Sequence, residues 1–361
     1  MKRFPDSWNI LFEEKRITTL TPIQEALFNP ISKGQNVLGI SPTGTGKTLA
    51  YLFPLLLKLQ PKKAQQLLIL APNSELAGQL FEVCKTWSNP LGLQAQLFLS
   101  GSSQKRQMER LKKEPEILIG TSGRIFDLVK LKKIKMMKVE TIVLDEFDDL
   151  LNDSQYSFVS KICHYVPREH QMVYISATPK ITREALADDT VTIDLSDTMT
   201  TPIQHYYVML DKRYKTTFLR KLSNIPHLKA LVFFNSLSEL GACEERLQFH
   251  QTSAISLASD INVKFRKIIL DKFKQGAFSL LLATDLVARG LDIEGLDYVI
   301  NAELPHDKDN YIHRAGRTGR MQHKGVVITL VTNKAELKQL KKYISVQEIG
   351  LKNQSFYFIE K

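Results

Sequence analysis

Three stretches of this chain carry residue types and spacings suited to phosphate chemistry. Residues 41–48 read SPTGTGKT, directly after the apolar residues 37–40 and before the helical stretch LAYLFPLLL. Glycines let backbone N–H groups turn into such a loop, and the helix N-terminus adds partial positive charge for phosphate oxygens. Ser41, Pro42, Thr43, Gly44, Thr45 and Gly46 would form the cradle. Lys47 would reach the terminal phosphates, and the Thr48 hydroxyl would hold Mg²⁺. The strict Gly-first pattern fails at Ser41, and the plain alternative is a turn before a buried helix with Lys47 solvated. Next, the apolar residues 141–144 run into Asp145, Glu146, Phe147 and Asp148. Acids at the carboxyl end of a buried parallel strand sit where open α/β sheets bind ligands. Asp145 could hold Mg²⁺ through water and Glu146 could orient an attacking water. The alternative is that these acids cap the following helix. The third stretch, residues 313–320 (HRAGRTGR), offers Arg317 and Arg320, positive groups that could stabilise charge building on a transferred phosphoryl group.

Such residues need a rigid frame. Short apolar runs recur at residues 67–70, 117–119, 141–144 and 172–175, then at 231–234, 280–283, 298–300 and 326–330, with amphipathic stretches between them. Strands buried on both faces read as continuous apolar runs, and alternation with helices implies parallel sheets. The expected fold class is therefore α/β, with two such units. Residues 194–204 (DLSDTMTTPIQ) are polar, contain Thr-Thr-Pro and lack helical periodicity. The expected division is a first lobe over 1–197, a linker over 198–203 and a second lobe over 204–361. About 30 residues follow the last apolar run, room for a finishing helix and not for a third domain.

A net charge of +11 favours a polyanionic partner, because neutralising phosphates releases counterions. Cys84, Cys163 and Cys243 lie far apart with no C-x-x-C spacing, which argues against a disulfide framework or zinc site and for a reducing cytoplasm. The first residues lack the apolar stretch of a signal peptide, and no run of apolar residues is long enough to span a membrane. The lysine-rich residues 130–138 (KLKKIKMMK) suit either a phosphate-tracking stripe or, more commonly, a solvated helix face.

Taken in order, these motifs resemble the DEAD-box RNA helicase family along nearly the whole chain. Residues 21–24 (TPIQ) look like the Q motif, whose glutamine, here Gln24, reads the adenine edge. Residues 71–77 (APNSELA), with Pro72 and Ser74, resemble a motif that holds RNA backbone. Gly101 belongs to a stretch similar to the GG motif, and Thr121, Gly123 and Arg124 to one similar to TPGR, again an RNA contact. DEFD at 145–148 takes the DEAD position, and Ser176 and Thr178 lie in an SAT motif that couples hydrolysis to unwinding, a coupling to which the resemblance also assigns Asp148. Residues 231–236 resemble motif IV. Residues 283–293 are close to motif V, where Thr284 would touch RNA and Asp292 the ATP ribose. Residues 313–320 match motif VI, which implies an interlobe hydrogen bond for His313 and γ-phosphate contacts for Arg317 and Arg320.

The resemblance implies two RecA-like lobes, each a mostly parallel sheet flanked by helices. It also implies RNA-dependent ATP hydrolysis with Mg²⁺ and local unwinding of structured RNA at low sequence specificity, by a cytoplasmic monomer. Ribosomal RNA or preribosomal particles would be natural targets. Four departures bear on this. Ile17 replaces an aromatic expected to stack on adenine, and Leu20 replaces a proline beside it. Ser74 replaces an arginine, and Phe147 replaces the alanine of DEAD. Ala258 and Ser259 stand where His-Gly is usual, and Val263 replaces a glutamine. None removes a phosphate ligand, the presumed base or an arginine finger. They leave open an ATP-gated RNA clamp with little unwinding, and the resemblance opposes a third reading, a DNA translocase.

Overall fold

The computed structural model describes residues 3–42, 44–101, 103–179, 181–196, 203–257, 263–285, 296–319 and 325–359. The chain divides into two compact units, Met1–Met199 and Thr200–Lys361.

The first unit is built on seven strands: β1 (Val37–Ile40), β2 (Leu67–Ala71), β3 (Ala95–Phe98), β4 (Ile117–Thr121), β5 (Thr141–Leu144), β6 (Gln171–Ser176) and β7 (Val191–Asp194). They pair in the order β3-β4-β2-β5-β6-β1-β7, and every pairing is parallel. The central strands read as unbroken apolar runs because they serve two cores at once. Leu67, Ile69, Ala71, Ile117, Ile119 and Val143 face one core. Leu68, Leu70, Leu118, Ile142 and Leu144, offset by one residue, face the other.

The second unit repeats this plan with β8 (Ile203–Met209), β9 (Ala230–Phe234), β10 (Ala254–Leu257), β11 (Leu280–Thr284), β12 (Tyr298–Asn301), β13 (Gly325–Val331), β14 (Gln347–Lys352) and β15 (Ser355–Phe358). The order is β10-β11-β9-β12-β13-β8-β14-β15. All pairings are parallel except the closing β14–β15 hairpin. Here Leu231, Phe233, Leu281 and Ala283 turn to one core, and Ala230, Val232, Phe234, Leu280 and Leu282 to the other.

Two expectations need correction. The end of the chain is more than a finishing helix: the helix Lys334–Tyr343 is followed by the β14–β15 hairpin. The lysine-rich stretch is not a helix face. The helix Ser122–Lys130 ends where it begins, Ile134 and Met136 turn inward, and Lys135 pairs with Glu114. Of the expected linker, 198–203, residues 198–202 lie outside the described residues, and Ile203 opens β8. Among the described residues no helix is long and apolar enough to cross a membrane.

Candidate active site

Parallel strands bring the loops after β1, β5 and β6 to one edge of the first sheet, and these strands are neighbours. β1 delivers the phosphate-type loop, which closes at Gly46, the N-cap of the helix Lys47–Leu56, at φ 87°. Only glycine takes this place without strain, and a Cβ there would stand 2.5 Å from Gln24 Nε2. Ser41, the break in the strict pattern, is fully buried, and its Oγ donates to Thr45 Oγ1 at 2.8 Å. Thr45 Oγ1 donates in turn to the Pro42 carbonyl at 2.8 Å. Serine thus pins the loop from within. The Lys47 ammonium folds over it, donating to the carbonyls of Ser41 at 2.6 Å and Pro42 at 3.0 Å. Gly44 is exposed at the tip, Thr48 is half-buried on the first helical turn, and Thr43 lies outside the described residues.

Gln24 enters from the helix Pro22–Ser32. Its Oε1 accepts from the Thr21 N–H at 3.0 Å, and its Nε2 donates to the Gly46 carbonyl at 3.2 Å. The Gln24 amide therefore braces the phosphate loop. Ile17 and Leu20 are partly buried against the core below. Trp8 is fully buried, with its indole N–H on the Trp87 carbonyl at 2.9 Å, and Phe4 packs with it. Both are committed to the core.

At the end of β5, Asp145 is buried. Its Oδ2 accepts from the Tyr51 hydroxyl at 2.8 Å, and its Oδ1 from the Glu146 N–H at 2.9 Å. Burial pushes its carboxyl up to about 6, and the neighbouring Glu146 adds to the rise. The Tyr51 bond and the Lys47 charge act against it. Glu146 occupies the N-cap position of the short helix Phe147–Leu150, yet its side chain makes no capping bond. It is held at φ 49°, a left-handed conformation that is uncommon for a residue with a side chain, and its buried Oε2 has no hydrogen-bond partner. Capping therefore does not explain this acid. Phe147 is fully buried with its ring 4.8 Å from that of Tyr174, so packing absorbs its bulk. From β6, Ser176 Oγ accepts the Thr178 N–H at 3.1 Å, and Thr178 Oγ1 donates to Asp148 Oδ2 at 3.0 Å. The acidic stretch is thus tied to the loop after β6.

These groups fit a hydrated divalent cation. A buried carboxylate whose charge is poorly compensated and a second carboxylate with an orphan oxygen converge beside a phosphate loop.

The loops after β2, β3 and β4 form the other half of the same edge. Ser74 is exposed on the first turn of the helix Ser74–Ser88. The cap of this helix is Asn73, whose side chain accepts from the N–H groups of Glu75 and Leu76 at 3.1 and 2.9 Å. The Pro72 carbonyl accepts from Gln155 Nε2 at 2.9 Å. Gly101 is exposed at φ 77°. Thr121 is the N-cap of the helix Ser122–Lys130, which carries Gly123 and Arg124. Arg124 Nε donates to Gln107 Oε1 at 3.0 Å, and its buried Nη2 has no hydrogen-bond partner.

In the second unit Thr284 is buried at the end of β11. His313 and Arg314 lie on the helix Lys308–Ala315, with Arg317 just beyond, and all three are buried. Asp292 and Arg320 lie outside the described residues. The polar centre of this unit is Arg314, inside the third stretch but not singled out from sequence. Its guanidinium makes two 2.6 Å bonds to Asp285, and further bonds to Asn235 Oδ1 at 2.7 Å, the Glu303 carbonyl at 3.1 Å and Asn301 Oδ1 at 3.3 Å. Tyr51, Asn73 and Gln155 were likewise missed. Tyr51 lies within a run that reads only as apolar helix, and nothing local pairs it with an acid 94 positions away.

Comparison with known proteins agrees with this geometry. Residues 21–186 match the DEAD/DEAH box helicase domain, and residues 214–322 match the helicase conserved C-terminal domain. The chain is 40% identical over 351 residues to the probable ATP-dependent RNA helicase YfmL of Bacillus subtilis, covering 95% of this chain and 92% of that protein. It is 37% identical to the DEAD-box ATP-dependent RNA helicase CshC of Bacillus cereus, covering 91% and 86%. Among solved structures, Saccharomyces cerevisiae Dbp5 bound to RNA and ADP BeF3 superposes with a TM-score of 0.84 at 25% identity, covering 96% of this chain and 93% of that one. With two RecA-like α/β lobes and both helicase domains matched in order, the chain belongs to the DEAD-box family of ATP-dependent RNA helicases.

Proposed function

We propose that this protein is an RNA-dependent ATPase and ATP-dependent RNA helicase that locally opens structured RNA. The observation that carries the reading is the single sheet edge of the first unit. On it, the phosphate loop with Lys47 and the Asp145–Glu146 pair occupy the ends of β1 and β5. The loops bearing Pro72, Ser74, Gly101, Thr121, Gly123 and Arg124 occupy the ends of β2, β3 and β4.

In this reading the backbone of residues 41–46 and the Lys47 ammonium take the ATP phosphates, and Lys47 leaves its loop carbonyls to do so. Gln24 holds the loop and reads the adenine edge. Bound Mg²⁺ supplies charge neutralisation and orientation of the phosphates. Thr48 and Asp145 would hold it, Asp145 partly through water. Tyr51 keeps Asp145 aimed. Glu146, whose oxygen has capacity to spare, orients and polarises the attacking water. Asp148, Ser176 and Thr178 form the link that senses the acidic stretch, with His313 their counterpart in the second lobe. Arg317 and Arg320 stabilise the charge that builds on the transferred phosphoryl group, and Asp292 takes the ribose. Thr284 joins the first lobe's loops in holding RNA backbone. Contacts to backbone position a strand without reading it, so sequence specificity is low. The lobes span 1–197 and 204–361 about a linker at 198–203, and the protein works as a cytoplasmic monomer on structured RNA such as ribosomal RNA.

A short-duplex displacement assay tests the reading. Strand release should require ATP, and Lys47→Ala should abolish it together with hydrolysis. ATP-dependent retention of RNA without release would favour the clamp reading, which the uncharged Ser74 keeps open. Wild-type turnover by Lys47→Ala would remove the phosphate site.

A further inference from the structure

The second unit carries a basic groove that none of these roles uses. It lies between the helices Lys215–Ser223 and Leu237–Phe249, lined by Arg213, Thr216, Thr217, Arg220, Arg246 and His250, with no carboxylate among the lining residues. Two acids beside it, Asp211 and Glu239, are engaged. Asp211 takes the Arg213 fork through both oxygens at 3.1 Å, and Glu239 holds Lys212 at 2.8 Å. Arg220 Nη1 donates to His250 Nδ1 at 3.3 Å, which holds the imidazole beside the guanidinium. The Arg220 and Arg246 guanidinium groups and the threonine hydroxyls, with no acid among the lining residues, suit phosphodiester oxygens.

Position separates this groove from the motif loops. The helix Leu237–Phe249 starts beyond the carboxyl end of β9 and runs 13 residues back toward the start of β10. At 1.5 Å per residue, that puts its far end roughly 20 Å from the edge that carries Thr284 and Asn235. Aromatic rings stand open beside the charges. Phe249 is 83% exposed, with its ring edge-on to His250 at 5.3 Å. Tyr214 is 57% exposed, with the Arg213 guanidinium 5.9 Å from its ring centre. A phosphorylated peptide would use the charges and leave the rings idle. A single-stranded nucleic acid would use both, because bases stack on aromatic side chains while the backbone follows the charges.

We propose that this groove is a second RNA site. It takes a single-stranded segment flanking the RNA held by the motif loops, with Arg220 and Arg246 on phosphates and Phe249 under a base. It rests on the RNA-binding reading above and adds a place where longer substrates gain affinity and short ones do not.

The test uses the full chain carrying Arg220→Gln with Arg246→Gln and, separately, Phe249→Ala. Binding is measured to a short poly(U) strand and to one several times longer, at several salt concentrations. For the long strand the double variant should bind about tenfold more weakly at low salt, and its log–log salt slope should fall by roughly 1.4, two contacts at about 0.7 each. Phe249→Ala should lose about fivefold or more with the slope unchanged, since stacking releases no counterions. Short-strand binding, ATPase at saturating short strand and the thermal melt should all stay at the parent values. Equal losses on both strands, or none on the long one, would overturn the second site while the first stands. So would competition by a phosphopeptide for the groove with long-strand binding untouched by the variants. A parent that binds neither strand would instead remove the RNA reading itself.

Discussion

Arg314 is buried and Arg124 largely so, one in each unit, and their surroundings are opposite. The Arg314 side chain is 1% exposed, and its five N–H groups meet five acceptors on Asp285, Asn235, Asn301 and Glu303. The Arg124 side chain is 12% exposed, meets Gln107 through Nε, stands 3.9 Å from Asp127, and keeps a buried Nη2 without a hydrogen bond. The same contrast holds for the acids. Asp285 spends both oxygens on Arg314, whereas Glu146 keeps an orphan oxygen. Buried polar groups are normally satisfied, so an unsatisfied one marks a place where a ligand completes the set. A saturated network marks a structural keystone. The network around Arg314 therefore holds the second lobe together.

This contrast makes ordered predictions. Arg314→Ala should cost most, about 3–5 kcal/mol of folding stability, because it strands Asp285 and the amides around it. A denaturant titration showing a loss below about 1 kcal/mol would undo the keystone assignment. Glu146→Gln should lower RNA-stimulated hydrolysis by at least about 100-fold. Its melting temperature should be equal or slightly higher, since no native hydrogen bond of Oε2 is lost. A clear drop in melting temperature would make Glu146 structural. Arg124→Gln should leave the melt nearly unchanged and remove about one phosphate contact from RNA binding, a change of roughly 0.7 in the salt slope. If its melt falls as far as that of Arg314→Ala, the two arginines do not differ in kind.

Smaller effects sharpen the picture at the neighbouring loop. Asn73→Ala should cost about 1 kcal/mol, the usual loss of an N-cap. Ser74→Arg should leave stability alone and steepen the salt slope of RNA binding by roughly 0.7. A destabilised Ser74→Arg with unchanged RNA affinity would remove this residue from the RNA edge.

The last expected effect is a pH trend. His205 sits against the Tyr311 hydroxyl at 2.8 Å, and burial pushes its imidazole down to about 4. The unfolded chain takes up this proton near the ordinary histidine value, and the folded chain only near 4. Its contribution to stability is therefore present above about 6.5 and is lost as pH falls toward 4. Asp145 works the other way, since its raised carboxyl makes the first unit lose stability as pH rises from about 4 toward 6. His205→Gln should flatten the acid side of the stability curve in thermal melts across this window. An unaltered curve would mean that the buried imidazole is not a proton-linked group.

Most of this protein was legible from residues alone, for a physical reason. Strands buried on both faces leave continuous apolar runs, and β1, β2, β5, β9 and β11 were placed to within a residue at either end. Phosphate loops, metal acids and arginine fingers use fixed short spacings that survive as text, so the motifs could be read in order. The strands that were missed include those at the sheet edges, β3, β7, β10 and β15. Edge strands bury less and alternate polar with apolar, as in the half-exposed VTID of β7. Tertiary structure alone decided the partners. It put Tyr51 on Asp145, Gln24 under Gly46, Asn73 rather than Ser74 on the helix cap, and Asp285 and Asn235 around Arg314. Each of these pairings except the helix cap joins residues far apart in the chain, and a hydrogen bond between distant residues leaves no spacing to read. Which of the three arginines in residues 313–320 becomes structural depends on the acids that the fold brings to it.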